Sequence, residues 1–461
     1  MSQPKENIVI LGGGIIGLSI AYYLSQDPNS NRSIHIIDSA PTLLESASGY
    51  AGGFLTRDWF DPRLAPFGEF SFKLHRELAE SSDGHRRWGY CGSHVYSLTL
   101  NGAPGAARGE DWLLEGTSRA QAVGRKTVGH VSAPGESVNS DGTPSWITPQ
   151  EEATWEVVAG TEDCGQLDPR KLCEHLLSEC QERGVEIVPS TRATANKQRH
   201  DQSSVLTLQS SVDDKAPSFI RCTNLIIAAG CWTPRVLDTL FPGHRVKLEI
   251  DALAGYSIVY KTPRYTKPFR NIAHGEKGKF NARDKYVSYA IYCPSTKHWT
   301  YSPEAFARLS ENEKPEIWVG GLNRDQTQLP LPELATDCKK LMKSEDLANL
   351  RQTAVHMTGL PGLGGNPTED DLEILREGLC FRPVSKSGVP TVGRIAPMDL
   401  GADFRSGLGA KVWIASGHGP WGISMALGTG VVINDLISER EPSVDISALQ
   451  VQTRAPGGSK M

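Results

Sequence analysis

The chain has 461 residues, of which 39% are hydrophobic and 22% are charged, as is usual for a soluble enzyme of two or three domains. The formal net charge of −5 gives no general reason for binding DNA or RNA, so we expect no nucleic-acid partner. The nine cysteines include no C-x-x-C pair, which argues against a disulfide framework or a metal site and predicts reduced thiols. The apolar stretch at the start is too short for a membrane span and lacks the basic flank of a signal peptide.

The first predicted element is a buried parallel strand at Ile8–Leu11, and a glycine turn and a helix follow it directly. The turn fits G-x-G-x-x-G. Gly12 permits the tight turn, Gly14 lets a pyrophosphate approach, and Gly17 allows close packing of helix and strand. Phosphates are favoured at the helix N-terminus by its free N–H groups. The residues assigned to this dinucleotide site are Gly12, Gly14, Ile15, Ile16 and Gly17.

A second apolar strand, Ile34–Ile37, ends at an acidic residue placed to accept hydrogen bonds from a ribose. A run of small residues at 46–53 then allows the backbone to approach a flat ligand, although such a run is equally compatible with an ordinary loop. The residues assigned to binding here are Asp38, Ser39, Ser46, Ser48, Gly52 and Gly53.

The next elements continue an α/β pattern with one interruption. An amphipathic helix is predicted at Pro66–Glu80, and the Gly/Ser/Pro-rich stretch 101–145 is interpreted as a surface insertion, mobile in part. Asp168 is placed to cap a helix that begins at Pro169 and ends before Gly184. Strands are predicted at 185–188 and 224–228.

Long alternating aromatic segments between residues 245 and 320 predict an antiparallel sheet, and a helix is predicted at Leu334–His356. The α/β pattern resumes at Val412–Ala415. We therefore expect an α/β fold with a discontinuous Rossmann-like domain and an antiparallel-sheet (α+β) substrate domain. The predicted boundaries are 1–65, 150–245 and 375–450 for the first domain, 66–100 and 246–374 for the second, 101–149 for the insertion and 451–461 for a flexible tail.

Four blocks of the chain resemble FAD-dependent oxidoreductases of the D-amino-acid oxidase type, the group of glycine oxidase and sarcosine oxidase. They are Gly12–Leu24 with Asp38, Leu167–Val188, Ile226–Trp232, and a fourth block made of Cys380–Val384, Gly388–Arg394 and Ala415–Ser424. The Ser302–Glu304 segment and residues 417–423 resemble an uncharacterised fungal branch of this family.

The resemblance implies FAD as cofactor and a small amine or amino acid as substrate. It implies oxidation of a C–N bond with hydride passed to flavin N5, hydrolysis of the imine, and reoxidation by dioxygen to give hydrogen peroxide. The cofactor-binding residues that it adds are Val188, Ala229, Gly230, Trp232, Cys380, Gly393, Gly417, Gly419, Pro420, Trp421, Gly422 and Ile423.

Two residues are assigned catalytic roles through the resemblance. Arg382 matches the arginine that pairs with a substrate carboxylate, a task suited to guanidinium, and the alternative is a surface ion pair. Residues 417–422 open a helix whose N–H groups can stabilise charge on the reduced flavin, or form a turn needed only for packing. His418 is the residue there most able to titrate, with a structural role as the alternative.

Cys380 matches the position at which sarcosine oxidase and fructosyl-amino-acid oxidases attach FAD through sulfur. The alternative is a small buried hydrophobic residue, and the Arg382-Pro383 that follows matches the noncovalent glycine oxidase type.

Three functions stay open at this stage. The first is an amine or amino-acid oxidase, the second a dehydrogenase with another electron acceptor, and the third a flavin-binding protein in interaction or trafficking. The terminal Ser459–Met461 differs at one residue from the S-K-L peroxisomal address, so a peroxisomal location with import-receptor binding is expected, with the cytoplasm as alternative.

Overall fold

The computed structural model describes residues 6–28, 31–100, 119, 143–148, 153–265, 286–360 and 369–454. Most of the predicted insertion and the Ser459–Met461 signal lie outside these residues. The strands are β1 (Glu6–Leu11), β2 (Arg32–Ile37), β3 (Phe54–Thr56), β4 (Cys91–Leu100), β5 (Ala153–Ala159), β6 (Cys164–Gln166), β7 (Glu186–Val188), β8 (Thr191–Gln198), β9 (Ser204–Ser210), β10 (Ser218–Cys222), β11 (Asn224–Ile227), β12 (Ile250–Lys261), β13 (Val287–Tyr292), β14 (Glu304–Leu309), β15 (Pro315–Gly320), β16 (Asn323–Arg324), β17 (Glu373–Ser385), β18 (Thr391–Ile395) and β19 (Lys411–Ser416). The α-helices are α1 (Ile15–Leu24), α2 (Ala47–Tyr50), α3 (Ala65–Ser81), α4 (Gly84–Trp88), α5 (Pro169–Glu182), α6 (Thr233–Leu240), α7 (Ser344–Thr358) and α8 (Gly422–Ile437).

A six-stranded sheet has the order β18-β19-β11-β1-β2-β7, and all of its pairs are parallel except β18 with β19. Strand β1 is apolar on both faces because both are covered. Ile8 and Ile10 share a core with Leu18 of α1, whereas Val9 packs with Leu206 of the small β8-β9-β10 sheet. This arrangement explains why the strand reads as a continuous apolar run.

A ten-stranded sheet follows the path β16-β12-β15-β14-β13-β4-β6-β3, with β17 paired to β12 and β5 to β4. Its pairs are antiparallel apart from β4 with β13. The sheet tyrosines, among them Tyr256 and Tyr260, fill a second core. The predicted fold class is confirmed: an α/β sheet that carries the glycine turn is combined with a largely antiparallel sheet.

Some segments that the sequence assigned to the first domain pair in the second sheet. Residues 54–56, 153–166 and 373–385 contribute β3, β5, β6 and β17 to the ten-stranded sheet. Strand β17 lies against the whole length of β12, from Ser385 opposite Ile250 to Glu373 opposite Lys261. Backbone pairing thus ties the residues that precede the last α/β segment to the antiparallel sheet.

The helix predicted at Leu334–His356 is interrupted. A 3-10 turn covers Ala335–Leu341, Met342 and Lys343 are extended, and α7 begins at Ser344. Glu345 and Asp346 in the first turn of α7 favour a new N-terminus there, which is the physical reason for the break.

Helix α5 has the predicted cap, since the Asp168 carboxylate accepts hydrogen bonds from the N–H groups of Arg170 (3.0 Å) and Lys171 (3.3 Å). All nine cysteines are buried and free of disulfides. Within the described part of the chain, no group of His, Cys, Asp and Glu side chains could hold a metal ion. No helix found there has the length and apolar character needed to cross a bilayer.

Candidate active site

A cavity of about 420 Å³ lies where the glycine turn, the 46–54 loop, strands of the ten-stranded sheet and the start of α8 meet. It collects most of the residues predicted for cofactor and substrate. Those on its wall are Gly12, Gly14, Ile15, Ile16, Asp38, Ser39, Ser46, Ser48, Gly52, Gly53, Ala229, Gly230, Trp232, Cys380, Arg382, His418, Gly419, Pro420, Gly422 and Ile423.

The glycine turn has the geometry that its motif requires. Gly12 has φ +113°, and a Cβ there would collide with the carbonyl oxygen of Ala228 on the neighbouring strand end. A Cβ on Gly17 would overlap the Gly12 carbonyl oxygen, so its predicted packing role is confirmed. Gly14, the N-cap residue of α1, has no side chain, and Ser48 Oγ accepts a hydrogen bond from the Ile15 N–H at 2.9 Å. Gly14, Ile15 and Ile16 place this helix N-terminus on the cavity wall.

Asp38 lies at the end of β2 and fastens the turn. Its two carboxylate oxygens accept hydrogen bonds from the N–H groups of Gly13 (2.7 Å) and Ala40 (2.8 Å). Burial raises the pKa of Asp38 above its ordinary value, although these two N–H groups act in the opposite direction. Asp38 lines the cavity, and each of its carboxylate oxygens has a second lone pair that can accept a hydrogen bond from a ribose hydroxyl.

Glu45 is a further acidic residue on the cavity wall, which the sequence analysis did not single out. Its buried carboxylate accepts from Arg170 (2.7 Å), Lys339 (2.5 Å) and the Tyr50 hydroxyl (3.0 Å). Burial raises the pKa of Glu45, but these partners outweigh burial and the pKa lies below its ordinary value. Its two cationic partners, Arg170 and Lys339, come from distant segments, so no local motif marks this residue.

Arg382 extends from β17 across the neighbouring strand. Its guanidinium lies directly over Gly255 of β12, where a Cβ would approach it to 2.7 Å. Nη1 donates to the Asn323 side-chain oxygen at 2.6 Å. Among the residues that the structure describes, no carboxylate pairs with Arg382. Arg382 is therefore a cavity cation rather than a member of a surface ion pair.

Cys380 precedes Arg382 on the same strand and is 4% exposed. Burial raises the pKa of its thiol, although the nearby Arg382 cation acts in the opposite direction. The thiol borders the cavity, as does that of Cys231, whose sulfur donates to the Phe381 carbonyl oxygen at 3.2 Å.

His418 is neutral in this environment, in contrast to its expected ability to titrate. Burial lowers its pKa to about 3. Thr429 Oγ1 donates to the Met425 carbonyl oxygen, so it accepts from His418 Nε2–H at 3.0 Å. That bond fixes the side chain at the start of α8, where Gly419, Pro420 and Gly422 face the cavity.

Five of the predicted cofactor residues do not reach the cavity wall: Gly17, Val188, Gly393, Gly417 and Trp421. The Val188 carbonyl oxygen accepts a hydrogen bond from the Asp38 N–H at 3.0 Å, so Val188 positions Asp38 without lining the cavity itself. Gly393 faces the Gln450 side chain, and Gly417, at φ +86°, faces Ser385 and Ile250. Trp421 is buried against Phe60 with ring centroids 5.1 Å apart.

Two buried charged groups on strand β14 escaped the sequence analysis. Arg308 is 0% exposed and donates from Nη1 to the Gly52 carbonyl oxygen at 2.8 Å, which holds the 51–53 turn. Glu304 faces the cavity and pairs with Arg119 at 3.1 Å. Charged residues are seldom buried unless they are paired. The alternation of Glu304, Phe306 and Arg308 on one face of the strand was therefore the available sequence signal for buried, paired charges.

The residues present fit a dinucleotide flavin. A crowded, positive-φ glycine and a helix start on the cavity wall suit a pyrophosphate, and an acid after β2 suits a ribose. The residues that open α8 line the same cavity.

Comparison with known proteins agrees with this geometry. The chain is similar to C1F5.03c of Schizosaccharomyces pombe (26% identity, covering 94% of each chain) and TDA3 of Saccharomyces cerevisiae (24% identity, 97% and 94% covered), both named provisionally as oxidoreductases. Among solved structures, glycine oxidase from Geobacillus kaustophilus has a TM-score of 0.61 at 15% identity, covering 98% of this chain and 100% of that one. L-proline dehydrogenase from P. horikoshii also has a TM-score of 0.61, at 14% identity, with 97% and 96% covered.

The model of the family described as FAD dependent oxidoreductase, DAO, matches residues 7–436, which include the glycine turn, both sheets and most of α8. This chain belongs to that family of FAD-dependent oxidoreductases.

Proposed function

We propose that this protein oxidises a C–N bond of a small amine or amino acid with FAD as cofactor and dioxygen as electron acceptor. The observation that carries the proposal is Arg382, a cation on the wall of the cofactor cavity with no carboxylate partner among the described residues. A guanidinium in this setting is suited to bidentate binding of a substrate carboxylate. Asn323 holds one side of the guanidinium, which leaves its other N–H groups for the ligand.

Each part of the cavity has a distinct task in this proposal. FAD, when bound, supplies a hydride acceptor at N5 of its ring. The start of α1 binds the pyrophosphate, and the Asp38 carboxylate binds the adenosine ribose. The N–H groups at the start of α8 stabilise negative charge at the opposite end of the cavity. Arg382 orients the substrate so that its C–H bond faces the ring.

The decisive experiment is a steady-state assay of FAD-loaded protein with small amino acids and with secondary amines such as sarcosine. An oxidase consumes oxygen and forms peroxide in equal amounts. A dehydrogenase reduces dichlorophenolindophenol in the same mixtures without consuming oxygen, which would overturn the choice of acceptor. If bound FAD stays oxidised with every amine under anaerobic conditions, C–N oxidation is refuted and an interaction role becomes the better account.

We propose that FAD is bound without a covalent link. Thioether formation needs a thiolate, and burial raises the pKa of the Cys380 thiol. Acid precipitation of the yellow protein should leave the colour in the supernatant. Colour in the pellet that is lost in a Cys380→Ser variant would establish the covalent alternative.

A further inference from the structure

Glu304 presents a buried acceptor to the cavity. Glu304 is the first residue of β14 and is 5% exposed. Oε2 accepts a hydrogen bond from Arg119 Nη2 at 3.1 Å, whereas Oε1 is buried and has no hydrogen-bond partner among the described residues. Buried acceptors without a partner are uncommon in folded proteins because leaving them unsatisfied is unfavourable. An oxygen of this kind on a cavity wall indicates a donor supplied by a ligand.

The other acidic side chains on the described cavity wall differ from Glu304 in this respect. Asp38 and Glu45 have both oxygens engaged by the protein, and Glu333, at the mouth, has Oε1 paired with Arg192 (3.2 Å) and Oε2 with Arg235 (2.6 Å). Of these four carboxylates, only Glu304 has a buried oxygen left over in the part of the chain that the structure describes.

Arg119 holds the first oxygen in a fixed direction. Its guanidinium carbon lies 4.7 Å from the Trp421 ring centroid, 5.5 Å from that of Tyr292 and 5.9 Å from that of Phe54. Ring faces carry negative charge, so these contacts stabilise the cation where it is. The second carboxylate oxygen of Glu304 therefore remains available to a different donor.

Glu304 and Arg382 act on the same face of the ten-stranded sheet. The Arg382 guanidinium lies over Gly255 of β12, and Ile258 on that strand is opposite Val319, whose neighbour Gly320 is opposite Glu304. Gly255 and Glu304 are thus separated by two residues along the strand direction and by two strands across the sheet. With a rise of ~3.3 Å per residue and a spacing of ~4.8 Å between strands, their backbones lie roughly 12 Å apart. Both side chains extend into the cavity, so a small zwitterion with its two hydrogen bonds can bridge the remaining gap.

We infer that Glu304 Oε1 binds the ammonium group of a zwitterionic substrate whose carboxylate pairs with Arg382. This inference rests on the proposed function and narrows its substrate class to amines that bind as cations, whose ammonium proton passes to Glu304 Oε1 before hydride leaves the carbon. The rival donor is the single N–H of the flavin pyrimidine ring. If the donor is the substrate ammonium, loss of the Glu304 carboxylate weakens amine binding. If the donor is the flavin N–H, the same loss weakens FAD binding.

The test titrates FAD-loaded protein at pH 7 with benzylamine, which is a cation, benzyl alcohol, which is neutral, and benzoate, and follows the flavin absorbance. In Glu304→Gln the dissociation constant of benzylamine should rise by about 10- to 100-fold, while those of benzoate and of FAD change by less than about threefold. Glu373→Gln is the matched control, because Glu373 belongs to the same sheet but its side chain is 66% exposed.

Unchanged benzylamine binding in Glu304→Gln, or weaker FAD binding with unchanged benzylamine binding, overturns the inference. If that variant does not fold, the wild-type protein decides, since benzylamine binding no tighter than benzyl alcohol also overturns it. The proposed function fails separately: wild-type protein that binds benzylamine tightly but oxidises no amine refutes C–N oxidation and leaves the ammonium site in place.

Discussion

The two ends of the cavity are built on different principles. At the glycine end, the cavity wall is formed by residues between Gly12 and Gly53, and the hydrogen bond from the Gly13 N–H to the Asp38 carboxylate fixes the turn. At the sheet end, charged side chains from strands far apart in the chain line the cavity, and Glu304 has one oxygen without a partner among the described residues. The first arrangement suits a large ligand held by shape, and the second suits a small ligand recognised by charge. Changes at the two ends should therefore affect different ligands.

The largest effect is expected from Gly12→Ala at the glycine end. The new Cβ would collide with the Ala228 carbonyl, and the backbone at φ +113° is strained for any side chain. FAD affinity, measured by flavin fluorescence titration of the apoprotein, should fall by at least about 1000-fold. Gly160→Ala is the control, because a Cβ at Gly160 meets nothing within 4 Å. Normal FAD binding by Gly12→Ala would refute the proposed phosphate site.

The second prediction concerns the stability that Asp168 gives to the fold beside the 51–53 turn. It caps α5, accepts from Ser310 Oγ at 2.6 Å and lies 4.0 Å from Arg308, the residue that holds Gly52. Asp168→Ala removes the cap of α5 and the acceptor of the Ser310 hydroxyl, while Arg308 keeps its pairing with Glu316 at 2.8 Å. The free energy of unfolding should fall by about 3 kcal/mol. Urea denaturation measures this loss.

The same carboxylate gives a pH dependence. Burial raises the pKa of Asp168, but Arg308 and the Ser310 hydroxyl outweigh burial and bring it below its ordinary value. A lowered pKa in the folded state means that the stabilisation is complete above the unfolded pKa of ~3.9 and is lost as the pH falls through the folded value. The deficit of Asp168→Ala should accordingly shrink below pH 4. A deficit independent of pH would show that the side chain acts only through packing.

The next prediction concerns Arg382→Met, a change at the sheet end of the cavity. Benzoate should bind FAD-loaded protein about 100-fold more weakly because the cavity loses its carboxylate-binding cation, while FAD affinity should change little. Absorbance titration of the flavin measures both quantities. Arg351→Met, which removes a half-exposed surface partner of Asp370, provides the control. Loss of FAD together with benzoate would mean that the two ends are not independent.

The smallest effect is expected at His418, which lies just before the start of α8. Its folded pKa of about 3 lies below the unfolded value, so the unfolded state takes up a proton first as the pH falls. Stability should decline below pH 6.5, with a His418 contribution of about 2 kcal/mol at pH 5. His418→Gln should remove this part of the decline between pH 7 and pH 5 in urea denaturation. An identical decline in both proteins would contradict a neutral, buried His418.

The residues that the sequence identified correctly are those whose function is local. Gly12 adopts the positive φ of its own turn, Gly17 packs against the Gly12 carbonyl in the same strand-turn-helix unit, and Asp168 caps the helix that it precedes. The helix predicted at 334–356 is interrupted at Met342 and Lys343, because Glu345 and Asp346 favour a new N-terminus there and the Lys343 N–H donates to the Tyr256 hydroxyl of the distant strand β12 at 3.2 Å. The alternation of Glu304 and Arg308 with Phe306 marks one strand face, but it does not show that Glu304 lines the cavity or pairs with Arg119.

The sequence by itself determined the α/β fold with its antiparallel sheet, the glycine turn and the family, because these depend on hydrophobic period and on backbone conformations that only glycine adopts. Only the tertiary structure decided which charged groups share the cavity. Arg382, Glu304 and Arg119 are far apart in the chain, and their partners are set by strand register and burial. Tertiary structure also decided that His418 is neutral, because the solvent lost on folding, rather than any neighbour in the chain, lowers its pKa.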